Sequence, residues 1–305
     1  MPTTLPLPTL RAAFGDRLQE NVSLAPYTSA RIGGPADALI TVTSADELAE
    51  TVSRLWELDM PYKVLGGGSN VLVSDRGYRG VVVLNRAKAV YFDKGSKPNV
   101  KAEAGVVIAN LARRAASHGL AGLEWATAVP GTVGGAVYGN AGAFGGDMAG
   151  SLIRAELLTE NGRESWSVEK FGYDYRSSAL KRQAIKIVVL WAELHLEHST
   201  KEAASVKISE FSERRKATQP PGASMGSMFK NPPNDFAGRL IEAAGLKGTR
   251  IGTAEISPVH ANFFINHGQT KAEDVRALVN LAQKTVAEKF GVNLELEIEL
   301  IGEWK

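Results

Sequence analysis

Val64-Leu65-Gly66-Gly67-Gly68-Ser69-Asn70-Val71-Leu72-Val73-Ser74-Asp75 is the stretch on which the fold turns. It reads as the end of a buried strand, a glycine turn, a polar pair, and a second apolar strand closing on Ser-Asp. Three glycines in a row carry no Cβ, so the backbone can reach φ > 0 and let a ligand come close. Successive N–H groups in such a turn converge on a concavity that suits an anion such as a pyrophosphate. Ser69 and Asn70 add side-chain donors at its rim. The pattern lacks the last glycine of GxGxxG and the Gly-Lys-Ser/Thr of a P-loop. Read from these residues alone, a plain tight hairpin stays open.

Upstream, an N-terminal segment with a helix over Leu10 to Leu18 leads to Arg31-Ile32-Gly33-Gly34-Pro35-Ala36-Asp37 and a strand from Ala38 to Val42. Ser44-Ala45-Asp46-Glu47 is a capping box that opens a helix to about Leu58. Tyr62 to Leu65 is the next strand. The glycine turn thus follows the second strand of a β-α-β start and leads to a third strand, an order that argues against a Rossmann unit. Downstream come strands at Val81–Leu84 and Val100–Ala104 and a helix from Val107 to His118. Then follows a second glycine-rich block, Gly122 to Gly146, containing Pro130-Gly131-Thr132-Val133-Gly134-Gly135-Ala136. Flexible linkers are Ser/Gly-rich and lack the Trp, Val and Tyr of this block. Small residues at this density let backbone pack against a flat, bulky ligand.

Composition bounds the rest. A chain of 305 residues that is 44% hydrophobic exceeds the usual size of one domain, so two or three are expected. A net charge of +2 gives no reason to expect nucleic acid or a membrane surface as partner. Absence of Cys excludes disulfides, a thiolate nucleophile and Cys-based metal sites. Met1 to Phe14 lacks the pattern of a secretory leader, and no apolar run approaches the length of a membrane span, so a soluble, cytoplasmic protein is expected.

In the second half, Leu152–Thr159 and Ser165–Val168 form a hairpin about Asn161-Gly162, and Ile185–Leu196 is a strand. His195 and His198 fall on opposite faces of a strand end and make poor metal partners, so no metal site is expected. Lys201–Ala217 is a helix ending in Arg214-Arg215-Lys216, either a solvated cap favoured by the helix dipole or a diphosphate clamp. Phe236–Gly248 holds a short helix with a glycine stop, and Thr270-Lys271-Ala272-Glu273 caps a long one to about Phe290. In Leu294 to Gly302 strict alternation puts Glu295, Glu297 and Glu299 on one face of a strand. A solvent-facing acidic stripe is the simplest reading of Glu295 and Glu299.

The Arg31–Asp37 segment, the Gly66–Asp75 turn and Pro130–Ala136, in this order, resemble the UDP-N-acetylenolpyruvoylglucosamine reductase family, and the resemblance runs nearly the whole chain. It implies an α+β fold: a vanillyl-alcohol-oxidase-type FAD-binding domain of two α+β subdomains, followed by an α+β substrate-binding domain. The corresponding boundaries are 1–65 and 66–198 for the FAD subdomains, with the strand 292–302 returning to the first, and 199–305 for the substrate domain. FAD would be held by Arg31, Gly33, Gly66, Gly67, Gly68, Ser69, Asn70, Pro130, Gly131, Thr132, Gly134, Gly135 and Ala136. Tyr173-Asp174-Tyr175-Arg176-Ser177-Ser178 matches the family's Tyr-x-Tyr-Arg-x-Ser, which makes Arg176 catalytic and Tyr175 a substrate contact. Gly226-Ser227-Met228-Phe229-Lys230-Asn231-Pro232 matches Gly-Ser-x-Phe-Lys-Asn-Pro, in which Ser227 is the proton donor and Asn231 contacts substrate. His260-Ala261-Asn262-Phe263 matches a further family segment, and Glu297 falls at the glutamate of the family's C-terminal motif as the third catalytic candidate.

The implied reaction is NADPH-dependent, FAD-mediated reduction of an enolpyruvyl ether of a UDP-sugar in peptidoglycan precursor synthesis. The 305-residue length and the short run from Arg176 to Lys201 resemble the shorter form of the family, without a tyrosine-loop insertion. UDP would then be held by other residues, with Lys216 and Asn231 as candidates. Gly139 departs from the bulkier residue expected there. Two other readings differ in class: a flavin oxidase or dehydrogenase acting on a small alcohol or hydroxy acid, and a UDP-sugar sensor without turnover.

Overall fold

The computed structural model describes residues 5–183 and 186–304. Its first sheet has four strands in the order Leu18–Ser23, Pro35–Val42, Tyr78–Asn85, Tyr62–Leu65. The last three run parallel, and the helix Ala45–Glu57 connects Pro35–Val42 to Tyr62–Leu65. Side-chain alternation explains why both faces of this sheet are covered. Ala38, Ile40, Val42, Val81 and Val83 pack on Leu48, Val52 and Leu55 of the helix and on Leu10 and Phe14 of the N-terminal helix. Leu39, Val82 and Leu84 point the other way, onto Leu24, Val73 and Ile301.

The glycine turn is not a hairpin. Tyr62–Leu65 pairs in parallel with Tyr78–Asn85, whereas Val71–Val73 pairs in parallel with Glu299–Ile301 from the far end of the chain. The turn therefore carries the chain from one sheet to another, and the C-terminal strand lies alongside Val71–Val73. It is shorter than its alternation suggests, because Glu295 to Glu297 leave it to pair with the loop around Met228–Lys230.

A second, five-stranded antiparallel sheet follows, ordered Gly162–Ser167, Leu152–Thr159, Ile187–His195, Asn99–Glu103, Val90–Asp93. The Asn161-Gly162 hairpin forms as expected, with Thr159 opposite Gly162. Ile185, where the sequence starts the next strand, lies outside the described residues. The core face of this sheet holds Val100, Ala102, Leu157, Val189 and Leu194 against Ile108, Leu111 and Ala115 of the helix Ile108–Ser117. His198 donates through Nε2 to the Gly95 carbonyl at 3.0 Å.

Three expectations shift. The N-terminal helix is Leu7–Phe14 rather than Leu10–Leu18, because Gly15 takes φ 55° and caps it, freeing Leu18–Ser23 to pair as a strand. The first sheet extends to Asn85, past the expected boundary at 65. The helix Lys201–Thr218 packs on the second half: Phe211 stacks on Phe144 at 4.6 Å and Arg214 lies 5.7 Å above the same ring. The residues from 199, expected in the substrate domain, thus begin with a helix that packs on Phe144. The C-terminal unit sets the helices Ala237–Ala243 and Ala272–Phe290 around the three-stranded sheet Arg250–Ile251, Ala254–Ile256, Phe264–Asn266. Asp75, at the end of the opening stretch, accepts from the Ala272 and Glu273 amides at 2.8 and 2.9 Å and so caps the long helix.

Candidate active site

Between the two FAD-type halves lies a cleft of about 550 Å3. Gly66, Gly67, Gly68, Ser69 and Asn70 form one wall, Gly131, Thr132, Gly134, Gly135, Tyr138 and Gly139 another, and Leu180 to Gln183 its edge. The two glycine blocks touch backbone to backbone. A Cβ on Gly67 would stand 3.1 Å from the Gly131 Cα, and Gly68, at φ 58°, would drive one into the Tyr27 carbonyl. The missing side chains thus serve loop-on-loop packing as well as access. Ser69 Oγ donates to the Pro130 carbonyl at 3.2 Å and ties the blocks together.

The cleft suits a dinucleotide such as FAD on two counts. Among the described residues, no protein acceptor takes the amides of Gly66 to Asn70, which leaves a row of donors at the wall. Gly139 and Gly135 present open space where Cβ atoms would be, with nothing nearer than 3.8 Å, so a flat group can lie against them. Of the other cofactor candidates, Ala136 is buried beneath the cleft wall, and Pro130 contributes only its carbonyl. Arg31 and Gly33 are not part of the wall. Arg31 is exposed at φ 57°, and Gly33 packs against Val73 and Leu24.

The Tyr173–Ser178 motif stands on the C-terminal end of the helix Val133–Gly139. Tyr173 Oη donates to the Val137 carbonyl at 2.9 Å and Ser178 Oγ to the Tyr138 carbonyl at 2.6 Å, filling acceptors that a helix end leaves unpaired. Asp174 and Ser177 exchange both backbone hydrogen bonds at 3.1 Å, a two-residue turn with Tyr175 and Arg176 at its tip. Arg176 adopts φ 53° there, a left-handed conformation that costs a non-glycine residue and persists where surroundings enforce it.

Arg176 Nε lies 2.8 Å from Glu297 Oε1, and the two side chains are 25% and 16% exposed. The N–H is not aligned on the oxygen, so the contact is an ion pair rather than a formed hydrogen bond. Burial lifts the Glu297 carboxyl above its ordinary 4.5, against the pull of Arg176, Lys181 and Lys230. Glu297 is fixed by its backbone: its amide donates to the Met228 carbonyl at 2.9 Å, and Asn70 Nδ2 donates to its carbonyl at 3.1 Å. The loop of Ser227 is held in turn by buried Asn262. Asn262 Oδ1 accepts from Phe229 N at 2.9 Å, its Nδ2 donates to Phe229 O at 2.8 Å, and its carbonyl accepts from Met228 N. Arg176, Glu297 and the Ser227 loop, distant in sequence, are thereby assembled beside one another.

The other predicted contacts have surroundings of their own. Asn231 Oδ1 accepts from the Ala237 amide at 3.1 Å and caps a helix, and Lys216 is exposed on the helix Lys201–Thr218. Tyr175 is half exposed, with the Arg176 guanidinium 5.6 Å from its ring. Sequence reading missed Lys63, Lys181, Tyr138 and Glu299. Glu299 is no solvent stripe: it pairs with Lys63 at 2.9 Å and lines the cleft. The Tyr138 hydroxyl is pushed up to about 12 by burial first and by Glu299 second. Burial lowers the Lys181 ammonium. Parallel pairing of Glu299 with Val71 puts it at the cleft, which alternation alone cannot specify.

The chain is similar to known proteins over most of its length. The chain is 45% identical over 290 residues to UDP-N-acetylenolpyruvoylglucosamine reductase of Chloroflexus aggregans, covering 93% of this chain and 97% of that one. It belongs to the UDP-N-acetylenolpyruvoylglucosamine reductase family. The Rubrobacter xylanophilus reductase is 46% identical over 277 residues, 91% of this chain and 93% of that protein. The crystal structure of UDP-N-acetylenolpyruvylglucosamine reductase from Thermus caldophilus superposes with a TM-score of 0.80 at 38% identity, covering 93% and 99%. Within this reductase-family chain, residues 36–166 match the FAD binding domain and 217–301 the reductase C-terminal domain. The latter range begins at the end of the helix Lys201–Thr218.

Proposed function

We infer that this chain reduces UDP-N-acetylglucosamine enolpyruvate to UDP-N-acetylmuramate with NADPH and FAD, a step of peptidoglycan precursor synthesis and so of cell-wall biogenesis, cell shape and division. The observation behind this reading is the Arg176–Glu297 pair with the Ser227 loop, built against a glycine-walled cleft. FAD would be held through its pyrophosphate by the amides of Gly66–Asn70 and along its ring system by Gly131–Gly135. When bound, it supplies the hydride chemistry between NADPH and the enol ether.

The side chains supply the rest. Reduction at the vinyl carbon leaves negative charge on the α-carbon, spread into the carboxylate. Arg176, a rigid cationic fork, binds that carboxylate and stabilises the charge more in the transition state than in the ground state. A bare Glu297 carboxylate would oppose the same charge. Its raised pKa and its contact with Arg176 let it orient the guanidinium while favouring a proton of its own. Ser227 Oγ then gives its proton to the α-carbon. Tyr175, Lys216 and Asn231 complete the proposal as contacts to the UDP-sugar. A helix cap occupies the Asn231 carbonyl oxygen and leaves its NH2 for that purpose.

The partner is thus a small molecule, and the reading calls for no metal, nucleic acid or membrane. The reaction is assigned to the cytoplasm. No helix among the described residues is long and apolar enough to cross a membrane. One anaerobic experiment tests the reading. NADPH is added to the purified protein until the flavin bleaches, then UDP-N-acetylglucosamine enolpyruvate is supplied. Return of colour with formation of the lactyl ether is the expected result. A bleached flavin that ignores the enol ether but reoxidises with oxygen would instead indicate an oxidase.

A further inference from the structure

Each member of the Arg176–Glu297 pair is tethered by an asparagine amide to one of the two glycine blocks that wall the cleft. Asn140, 6% exposed, sits in left-handed conformation (φ 48°) immediately after the helix Val133–Gly139. Both polar atoms of its side chain are engaged. Oδ1 accepts from the Ala149 amide at 3.0 Å, and Nδ2 donates to the Asp174 carbonyl at 3.0 Å. The same carbonyl closes the Tyr175–Arg176 turn by accepting from Ser177 N. On the other side, Asn70 ends the glycine turn, donates through Nδ2 to the Glu297 carbonyl and accepts from the Glu299 amide at 2.9 Å.

Resting on the function inferred above, we propose that Asn140 is a positioning residue for Arg176, with Asn70 its counterpart for Glu297. Neither side chain touches the ion pair. Each holds the backbone from which one partner extends, so the spacing of the pair is set by the same loops that wall the cleft. Arg176 needs such support because its left-handed backbone is a conformation that L-residues avoid unless neighbours over-determine it. Tyr173 and Ser178 clamp the turn on its flanks, and among the described residues Asn140 is the one side chain that donates to the carbonyl closing it. A misplacement of about 1 Å at a reacting group is enough to slow catalysis a hundredfold.

Two variants test this in the FAD-loaded protein. Asn140→Asp tolerates the left-handed backbone and keeps the acceptor for Ala149, yet turns an oxygen on the Asp174 carbonyl. Asn140→Gly keeps the backbone conformation and removes both bonds, which guards against misfolding of the first. Hydrogen exchange should accelerate about tenfold at the amides of residues 174–177 in both, with no change in the first sheet. Single-turnover reoxidation by the enolpyruvyl sugar should slow about tenfold, but by less than about twofold when Asn140→Asp is made on an Arg176→Lys background. Unchanged exchange in the turn overturns the tether. Equal slowing on both backgrounds overturns the action through Arg176. If the parent protein ignores the enolpyruvyl sugar, the inferred function fails, while the exchange result still decides whether Asn140 holds the turn.

Discussion

The cleft and the Arg176–Glu297 cluster adjoin, yet they are made of different material. The cleft is backbone: two glycine blocks, each contiguous in sequence and nearly without charge, pressed together where no Cβ fits. The cluster is side chains: an arginine from one turn, a glutamate from the C-terminus and a serine loop from the last unit, gathered by an ion pair and a few hydrogen bonds. The difference teaches that the two regions should fail differently. A change in the cleft should act through sterics on folding and FAD retention, and a change in the cluster through charge and protons on one half-reaction.

The sharpest test of that division is Ser227→Ala. Loss of a positioned proton donor should slow flavin reoxidation by the enol ether about a hundredfold to ten-thousandfold. Flavin reduction by NADPH should stay near normal, as stopped-flow absorbance would record. Equal slowing of both half-reactions would break the division. Arg176→Ala should come next, a loss of about a hundredfold to a thousandfold in the same reoxidation step with FAD content unchanged.

On the cleft side, Gly68→Ala sets a Cβ against the Tyr27 carbonyl at a left-handed position and should destabilise by about 1–3 kcal/mol. Gly139→Ala meets open space and should change stability by less than about 0.5 kcal/mol. Thermal unfolding with FAD quantified per chain distinguishes them. If Gly139→Ala proved as harmful as Gly68→Ala, collision between backbone loops would not be what governs the wall.

The smallest expected effect is a pH dependence. Glu297 is raised above its ordinary 4.5 by burial, so the folded state holds its proton more tightly than the unfolded chain. Its contribution is fully present below that ordinary value and is lost as pH rises through the folded value. Glu297→Gln, which stays neutral, should therefore match the parent protein in acid and melt higher at neutral pH, while being slower in reoxidation. Melting curves of both proteins from acid to neutral pH check this. A Gln variant that melted lower than the parent at neutral pH would mean that the Arg176 attraction outweighs burial.

Much of the cleft was legible in the chain itself. Glycine, the small side chains and the Asn161-Gly162 turn act within a few residues, so Gly66–Asn70, Gly131–Gly135 and the hairpin fall where their residue types require. The helix from Ser44 is likewise local: Ser44 accepts from the Glu47 amide three residues on. The resemblance to a family supplied Arg176, Ser227 and Glu297, which residue chemistry alone could not single out from ordinary arginines, turn serines and acidic strands. What lies outside such reach is pairing between remote segments. Val71–Val73 reads equally well as the second arm of a hairpin, and only the returning C-terminus takes it away. The same pairing converts Glu299 from a solvent stripe into part of the cleft and sets Glu297 before Arg176. Local propensity and periodicity determine which face of an element is apolar and where a turn can bend. Which strand lies alongside which, and so which charges meet in a buried place, is decided by the summed packing of the whole chain.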